Sequence, residues 1–142
     1  MTLSTLVVVV ALVSAASAQD KPSIEESTKK VKELQKERIA ALKAAAEISQ
    51  KLAQAFRLDI SEAMENRMTL LKAELEAAET ESDRIALYKK ALEDLKACEQ
   101  LAKDQFAAAR ATELPLHKVK ARRLEIEIAL EQAKIKQAKE KK

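Results

Sequence analysis

Glycine is absent from the 142 residues of this chain, proline occurs twice, as Pro22 and Pro115, and Cys98 is the single cysteine. Each shortage excludes something. Without glycine there is little provision for tight turns at positive φ, for β-bulges, or for the backbone loops that cradle phosphates. A lone cysteine cannot close an internal disulfide, and a lone histidine, His117, rules out a multi-histidine metal site. Aromatic residues make up 2% of the chain, with no tryptophan, so the interleaved rings on which nucleic-acid bases stack are missing. The 26 basic residues nearly balance the 23 acidic ones, for a formal charge of +3. So small a value suits solubility rather than a polyanionic partner.

What remains is Ala, Glu, Lys, Leu and Arg, the composition of long helices and coiled coils. The first 18 residues stand apart. Leu6 to Val13, LVVVVALV, is an apolar run followed by small residues and an Ala16-Ser17-Ala18 site, the h-region and cleavage pattern of a secretory signal. Cleavage after Ala18 leaves Gln19 first. The n-region MTLST carries no Lys or Arg, so its positive charge is the α-amino group alone. The run is shorter than the roughly 20 apolar residues of a spanning helix. The expectation is a signal peptide at 1–18, a polar lead at 19–22, and an exported, periplasmic or secreted, protein.

Beyond the lead, the pattern predicts four amphipathic helices. Ser23 opens the first, with Glu26 completing a capping box. Its apolar positions Val31, Leu34, Ile39, Leu42, Ala46, Ile48, Leu52 and Phe56 lie mostly three or four apart. Arg57 to Ser61 interrupts them, with Asp59 as an N-cap and Glu62 at the capping-box position. Met64, Met68, Leu71, Leu75 and Ala78 then form an a/d seam. Thr80 to Asp83 is a second cluster of capping residues, after which Arg84 starts a third helix with the seam Ile85, Tyr88, Leu92, Leu95, Ala102, Phe106 and Ala109. Glu99 is a polar residue inside that seam.

Thr112 restarts the chain as a cap, and Pro115 is tolerated because first-turn amides have no intrahelical partner. The fourth helix carries Leu116, Val119, Ile126, Leu130 and Ala133, interrupted by Arg123 and widened by Leu124, Ile128 and Ile135. Its end, KIKQAKEKK, holds five lysines, which suit a helix C-terminus.

The two halves echo one another. Sliding Phe56–Ala78 over Phe106–Leu130 sets Arg57 on Arg110, Leu71 on Leu124, Glu74 on Glu127 and Leu75 on Ile128. The chain therefore reads as all-α, two long antiparallel helical hairpins in one domain over 23–138. Hairpin one spans about 23–79 and hairpin two about 83–138, ahead of a basic tail at 139–142. Short connectors favour an up-down-up-down, four-helix coiled-coil-like bundle, with turns 57–61 and 110–114 at one end and connector 79–83 at the other. Neither Gly nor Pro enforces the first reversal, so helices one and two as a single bent rod stays an open alternative.

Catalytic groupings are scarce. His117 lies beside Lys118 after a bend, a solvent position. Glu33, Lys36, Glu37 and Arg38 interleave as a solvated face. Met64 and Met68 sit on the seam as packing residues, and Cys98 reads as a small buried residue. Lys118, Lys120, Arg122 and Arg123 alternate around the helix and are followed at once by Glu125 and Glu127. These readings predict a non-enzyme with no cofactor, no metal and no nucleic-acid partner, acting through protein contact or self-association of helices.

Phe106-Ala107-Ala108-Ala109-Arg110, then Ala111-Thr112-Glu113, then Lys120-Ala121-Arg122-Arg123-Leu124-Glu125-Ile126-Glu127-Ile128-Ala129-Leu130 resembles the helical hairpin repeat of TolC-type outer-membrane efflux proteins. The resemblance covers Lys89–Ala133 best and Ile48–Glu79 more weakly. In that family the pattern forms the periplasmic tip of a coiled-coil hairpin, with a turn glycine where this chain has Ala109. Nothing after residue 18 alternates in the way a membrane barrel strand does. The resemblance thus implies efflux-type hairpins and contact with an envelope assembly, not transport. By the same analogy it assigns partner contact to the tips: Arg57, Leu58, Asp59, Arg110, Thr112 and Glu113. An exported helical holdase, binding unfolded chains or amphiphiles through Met64, Met68 and an Ala-rich first helix, is the alternative.

Overall fold

The structure, a computed structural model, describes residues 23–140; the expected signal peptide, the polar lead and the last two lysines lie outside the described residues. Four helices follow in order: α1 Ile24–Gln54, α2 Ile60–Ala77, α3 Glu81–Ala107 and α4 Leu114–Glu140. The fold is an all-α bundle, and α1 and α2 are separate helices, not one bent rod.

Local chemistry sets the starts. The Ser23 hydroxyl accepts from the Glu26 amide while the Glu26 carboxylate accepts from the Ser23 amide, which satisfies two amides that the helix itself leaves free. Asp59 caps α2 by accepting from Ser61 N–H at 2.7 Å. Thr80 caps α3 by accepting from the Asp83 amide, so α3 begins at Glu81, one turn ahead of Arg84. The first backbone bond of α4 runs from His117 N–H to the Glu113 carbonyl. Glu113, not Thr112, therefore holds the N-cap position, and Pro115 falls in the first turn.

Ion pairs record the directions. Arg38–Glu76 joins α1 to an antiparallel α2, and Lys32–Glu79 joins it to the connector just beyond. Lys90–Glu74 and Arg67–Asp94 join α2 to α3, and Arg123–Glu99 and Lys136–Glu81 join α3 to α4. The helices run up, down, up, down.

The main core is a three-helix one. Its buried residues are Ile60, Met64 and Leu71 of α2, Leu92, Leu95, Cys98 and Ala102 of α3, and Val119, Ile126 and Leu130 of α4. α1 adds nothing to that cluster. It docks through Ala46, Ser49 and Ala53, small residues that let backbones approach but remove little apolar area from water. The Ser49 hydroxyl accepts from the Asn66 side chain at 2.7 Å, and the Arg67 guanidinium reaches both Gln50 of α1 and Asp94 of α3.

The seams are corrected accordingly. Val31, Leu34 and Ile48 of α1 are exposed, as are Leu124, Ile128 and Ile135 of α4. Length explains part of this: α1 has 31 residues and α2 has 18, about 46 Å against about 27 Å, so the start of α1 overhangs its partner. Position explains the rest, because α2 is covered on two sides and α1 and α4 are flanking helices.

The two polar interruptions of the seams meet each other. Glu99 Oε2 accepts from Arg123 Nε at 2.7 Å, and Arg123 also donates to Glu127 at 2.9 Å. Lys103 lies 3.0 Å from the other Glu99 oxygen. These hydrogen bonds, with Arg123 first, hold the Glu99 carboxyl below the usual carboxylate range. In the repeat register Glu99 falls on Ala46 and Arg123 on Leu70, both buried in hairpin one; one hairpin fills this layer with hydrocarbon and the other with an ion pair. Cys98 is buried and free, and its burial pushes the thiol up, so it packs as a small apolar residue and is a poor nucleophile.

Candidate functional site: the paired hairpin tips

The tips are built without glycine, yet they adopt the glycine conformation. Phe56 has φ 56° and Ala109 has φ 54°, each in the left-handed region just past a helix end. At the first tip the Phe56 amide donates to Ala53 O and the Arg57 amide to Leu52 O. At the second, the Ala109 amide donates to Phe106 O and the Arg110 amide to Gln105 O. Both are Schellman closures, which satisfy the last carbonyls of a helix by a 6→1 and a 5→2 bond. Phe56 and Ala109 occupy matching positions of the repeat, as do Arg57 and Arg110, so the sequence echo is also an echo of backbone geometry.

A non-glycine residue at positive φ costs roughly 1–2 kcal/mol. Ala109→Gly is therefore expected to raise stability by about 0.5–1 kcal/mol, part of the relieved strain being offset by the greater freedom of glycine in the unfolded chain. A higher urea midpoint at unchanged slope is the readout. Phe56→Gly gains less, because Arg110 stacks on the Phe56 ring, its guanidinium carbon 4.7 Å from the ring centre.

That stacking joins the two tips at one end of the bundle. Below it, the Gln105 side-chain amide donates to the Ala53 carbonyl at 3.2 Å in a buried contact. Of the six residues assigned to the tips by resemblance, Arg57, Asp59, Arg110, Thr112 and Glu113 are exposed and Leu58 is half-buried. Asp59 is engaged as a cap, and the Glu113 carboxylate lies 3.3 Å from His117 Nε2. Arg57 and Arg110 are the cations that face solvent across the end.

Three apolar side chains belong with this surface and were assigned to helix seams or passed over in the sequence. Phe56, Phe106 and Leu114 are 52%, 45% and 59% exposed. The helix period places Phe106 on the α3 seam, but the seam runs out at the Schellman turn and leaves nothing to cover it. The available signal was the register itself, which aligns Phe56 with a residue past the end of α3 rather than with Phe106.

Elsewhere, the basic group of α4 is half consumed. Arg122 pairs with Glu65 and Glu125, and Arg123 with Glu99 and Glu127. Among the described residues no group of three or more His, Cys, Asp or Glu side chains converges as a metal site, and no helix is long and apolar enough to cross a membrane. A gap of about 150 Å³ lies between α1, α2 and α3, against Ala46 on one side and Leu71 and Leu95 on the other. Its rim carries Lys43, Glu47, Arg67, Glu74, Lys90 and Asp94, of which Arg67 pairs with Asp94 and Lys90 with Glu74. Comparison with protein-family models, with curated proteins and with solved structures finds no match for this chain.

Proposed function

We propose that this chain is an exported, non-catalytic coiled-coil protein that works by protein–protein contact through its paired hairpin tips, the role implied by its resemblance to the periplasmic hairpins of TolC-type efflux proteins. The observation that carries the reading is the juxtaposition at one end of two identical Schellman turns, bridged by Arg110 on Phe56 and flanked by exposed Phe106 and Leu114. Aromatic and arginine side chains on a rigid element are the residues that anchor protein interfaces. The partner of matching chemistry is another helix end in the cell envelope, offering an apolar cleft rimmed by carboxylates. Export rests on the apolar run and Ala16-Ser17-Ala18 site at the start of the chain.

The holdase alternative asks Met64, Met68 and the Ala-rich first helix to form an adaptable surface. Met64 is 1% exposed and packed in the core and Met68 is half-buried against it, which leaves that reading the exposed apolar residues of α1; the tip reading is preferred for its paired turns.

A photo-crosslinking amino acid placed at Arg57 or Arg110, with Lys96 on the side of α3 as control, tests the proposal in cells. The expected result is one envelope protein captured from both tip positions and not from Lys96, with capture lost when Phe56 and Phe106 are changed to Ser. Equal capture from Lys96, or capture unchanged by the Ser substitutions, overturns it. The N-terminal residue of the recovered protein reports export separately, Gln19 being the expected start.

A further inference from the structure

The internal joint between the hairpins is left unfinished at both edges of the molecule. α2 meets α3 through Met68 and Leu71, which share a cavity wall with Leu87, Ala91 and Leu95, while Ile60 meets Cys98 and Leu101 nearer the tips. In the repeat register α4 is the counterpart of α2, and Met68, Leu71 and Leu75 fall on Ala121, Leu124 and Ile128. α3 is the counterpart of α1, and Leu87, Cys98 and Leu101 fall on Leu34, Ala45 and Ile48.

The covered members of these pairs lie inside the chain and their counterparts lie on its surface. Leu71 is 5% exposed against 43% for Leu124, and Ile128 is 59% exposed. Leu34 and Ile48 are 53% and 59% exposed, and with Ala41, Ala45 and Leu52 they step by seven, four, three and four along one face of α1, a continuous apolar stripe. α4 thus carries a free copy of the middle of the face by which α2 docks, and α1 a free copy of most of the face that receives it, with Arg38 standing in the place of Ala91.

We infer that a second copy of this chain covers these faces, with α4 of one copy lying along α1 of the next and reproducing the α2–α3 joint between molecules. This contact is head-to-tail, since the two faces differ, and it adds copies in series. It is confined to the middle of the helices. Toward the tips the counterpart of Ile60 is Glu113 and that of Met64 is His117, which pair with each other in the turn and leave the tip surface free.

Sedimentation of the purified chain over a range of concentrations tests the inference with three variants. Leu34→Lys removes the receiving face and Ile128→Lys the docking face; both positions are more than half exposed, so neither change disturbs the core, and circular dichroism checks that each variant folds. Leu114→Lys alters the tip alone. The parent chain and Leu114→Lys are expected to gain mass with concentration, and Leu34→Lys and Ile128→Lys each to self-associate at least tenfold more weakly. An equimolar mixture of those last two retains one intact face of each kind and is expected to form a dimer and nothing larger. A parent chain that is monomeric throughout, association lost in only one of the two variants, or a mixture that does not pair overturns the inference. Loss of association in Leu114→Lys would assign self-association to the tips instead, an outcome that leaves the partner crosslinks at Arg57 and Arg110 to be judged by their own experiment.

Discussion

Glu99→Ala is expected to lower the unfolding free energy by about 2–3 kcal/mol, whereas Glu99→Ala combined with Arg123→Leu returns it to the parent value or above. Removing the carboxylate leaves Arg123, itself largely buried beneath α3, without the 2.7 Å partner that justifies its place in the seam. The cost falls short of the 3–5 kcal/mol typical of a broken buried pair because Glu127 still holds one edge of the guanidinium. The double variant installs the Ala and Leu that hairpin one already carries at Ala46 and Leu70, both buried there, so the replacement packing has a precedent in the same molecule. Urea denaturation of the four members of the cycle measures the coupling; additive losses would mean that the ion pair makes no net contribution to the layer.

The same pair sets a pH response. Arg123 and Lys103 hold the Glu99 carboxyl below its ordinary range, so the folded state binds this proton more weakly than the unfolded state does. The stabilisation is complete above the unfolded value of about 4.3 and is lost as pH falls through the lower, folded value. The parent chain is therefore expected to lose stability below about pH 4 more steeply than the Glu99→Ala, Arg123→Leu variant.

Leu95→Ala is expected to cost about 3–4 kcal/mol, the middle of the range for a fully buried leucine. Leu95 is 1% exposed and sits where α2, α3 and α4 converge, bordering the gap under Ala46, so a further cavity cannot be filled by inward movement of α1. By contrast Ile48→Ala on α1, at 59% exposure, is expected to stay within about 0.5 kcal/mol of the parent. Hydrogen exchange gives the complementary picture. Amides of α1, held by Ala46, Ser49 and Ala53 and overhanging α2, are expected to exchange before those of α3. Equal protection in the two helices would contradict a three-helix core with α1 as an outer strut.

Much of this was legible in the residues. The capping box at Ser23 and Glu26, the Asp59 cap and the TESD cluster located three helix starts, the last to within one turn, because caps are local: a side-chain oxygen reaches an amide two or three residues on. The seams of α2 and α3 were legible for the same reason of period. The polar interruptions Glu99 and Arg123 were visible singly, but their pairing was not, since residues on different helices meet only once the relative register of α3 and α4 is set. The conformation of Ala109 was hidden as well. A glycine there would have announced the turn, whereas alanine adopts positive φ only because two Schellman hydrogen bonds hold it.

The tip assignment shows the division most clearly. The register between the halves placed Arg57 and Arg110 in corresponding turns, and the alternation of helix directions put both turns at one end. That Arg110 would lie on Phe56, and that Phe106 and Leu114 would remain open beside them, depended on how the hairpins were set against each other.

By itself the sequence determined an all-α chain of four helices, three of them with capped starts, in two similar hairpins, because hydrophobic period, capping chemistry and the lack of glycine act within a few residues of one another. Only the tertiary structure decided which helix is central. α2 and α4 share the middle of an apolar face, Leu71 and Leu75 matching Leu124 and Ile128; Leu71 is buried and Leu124 exposed because α2 lies between α1 and hairpin two and α4 lies at the edge of the bundle. Burial is a property of neighbours, and the chain's own pattern is the same with or without them.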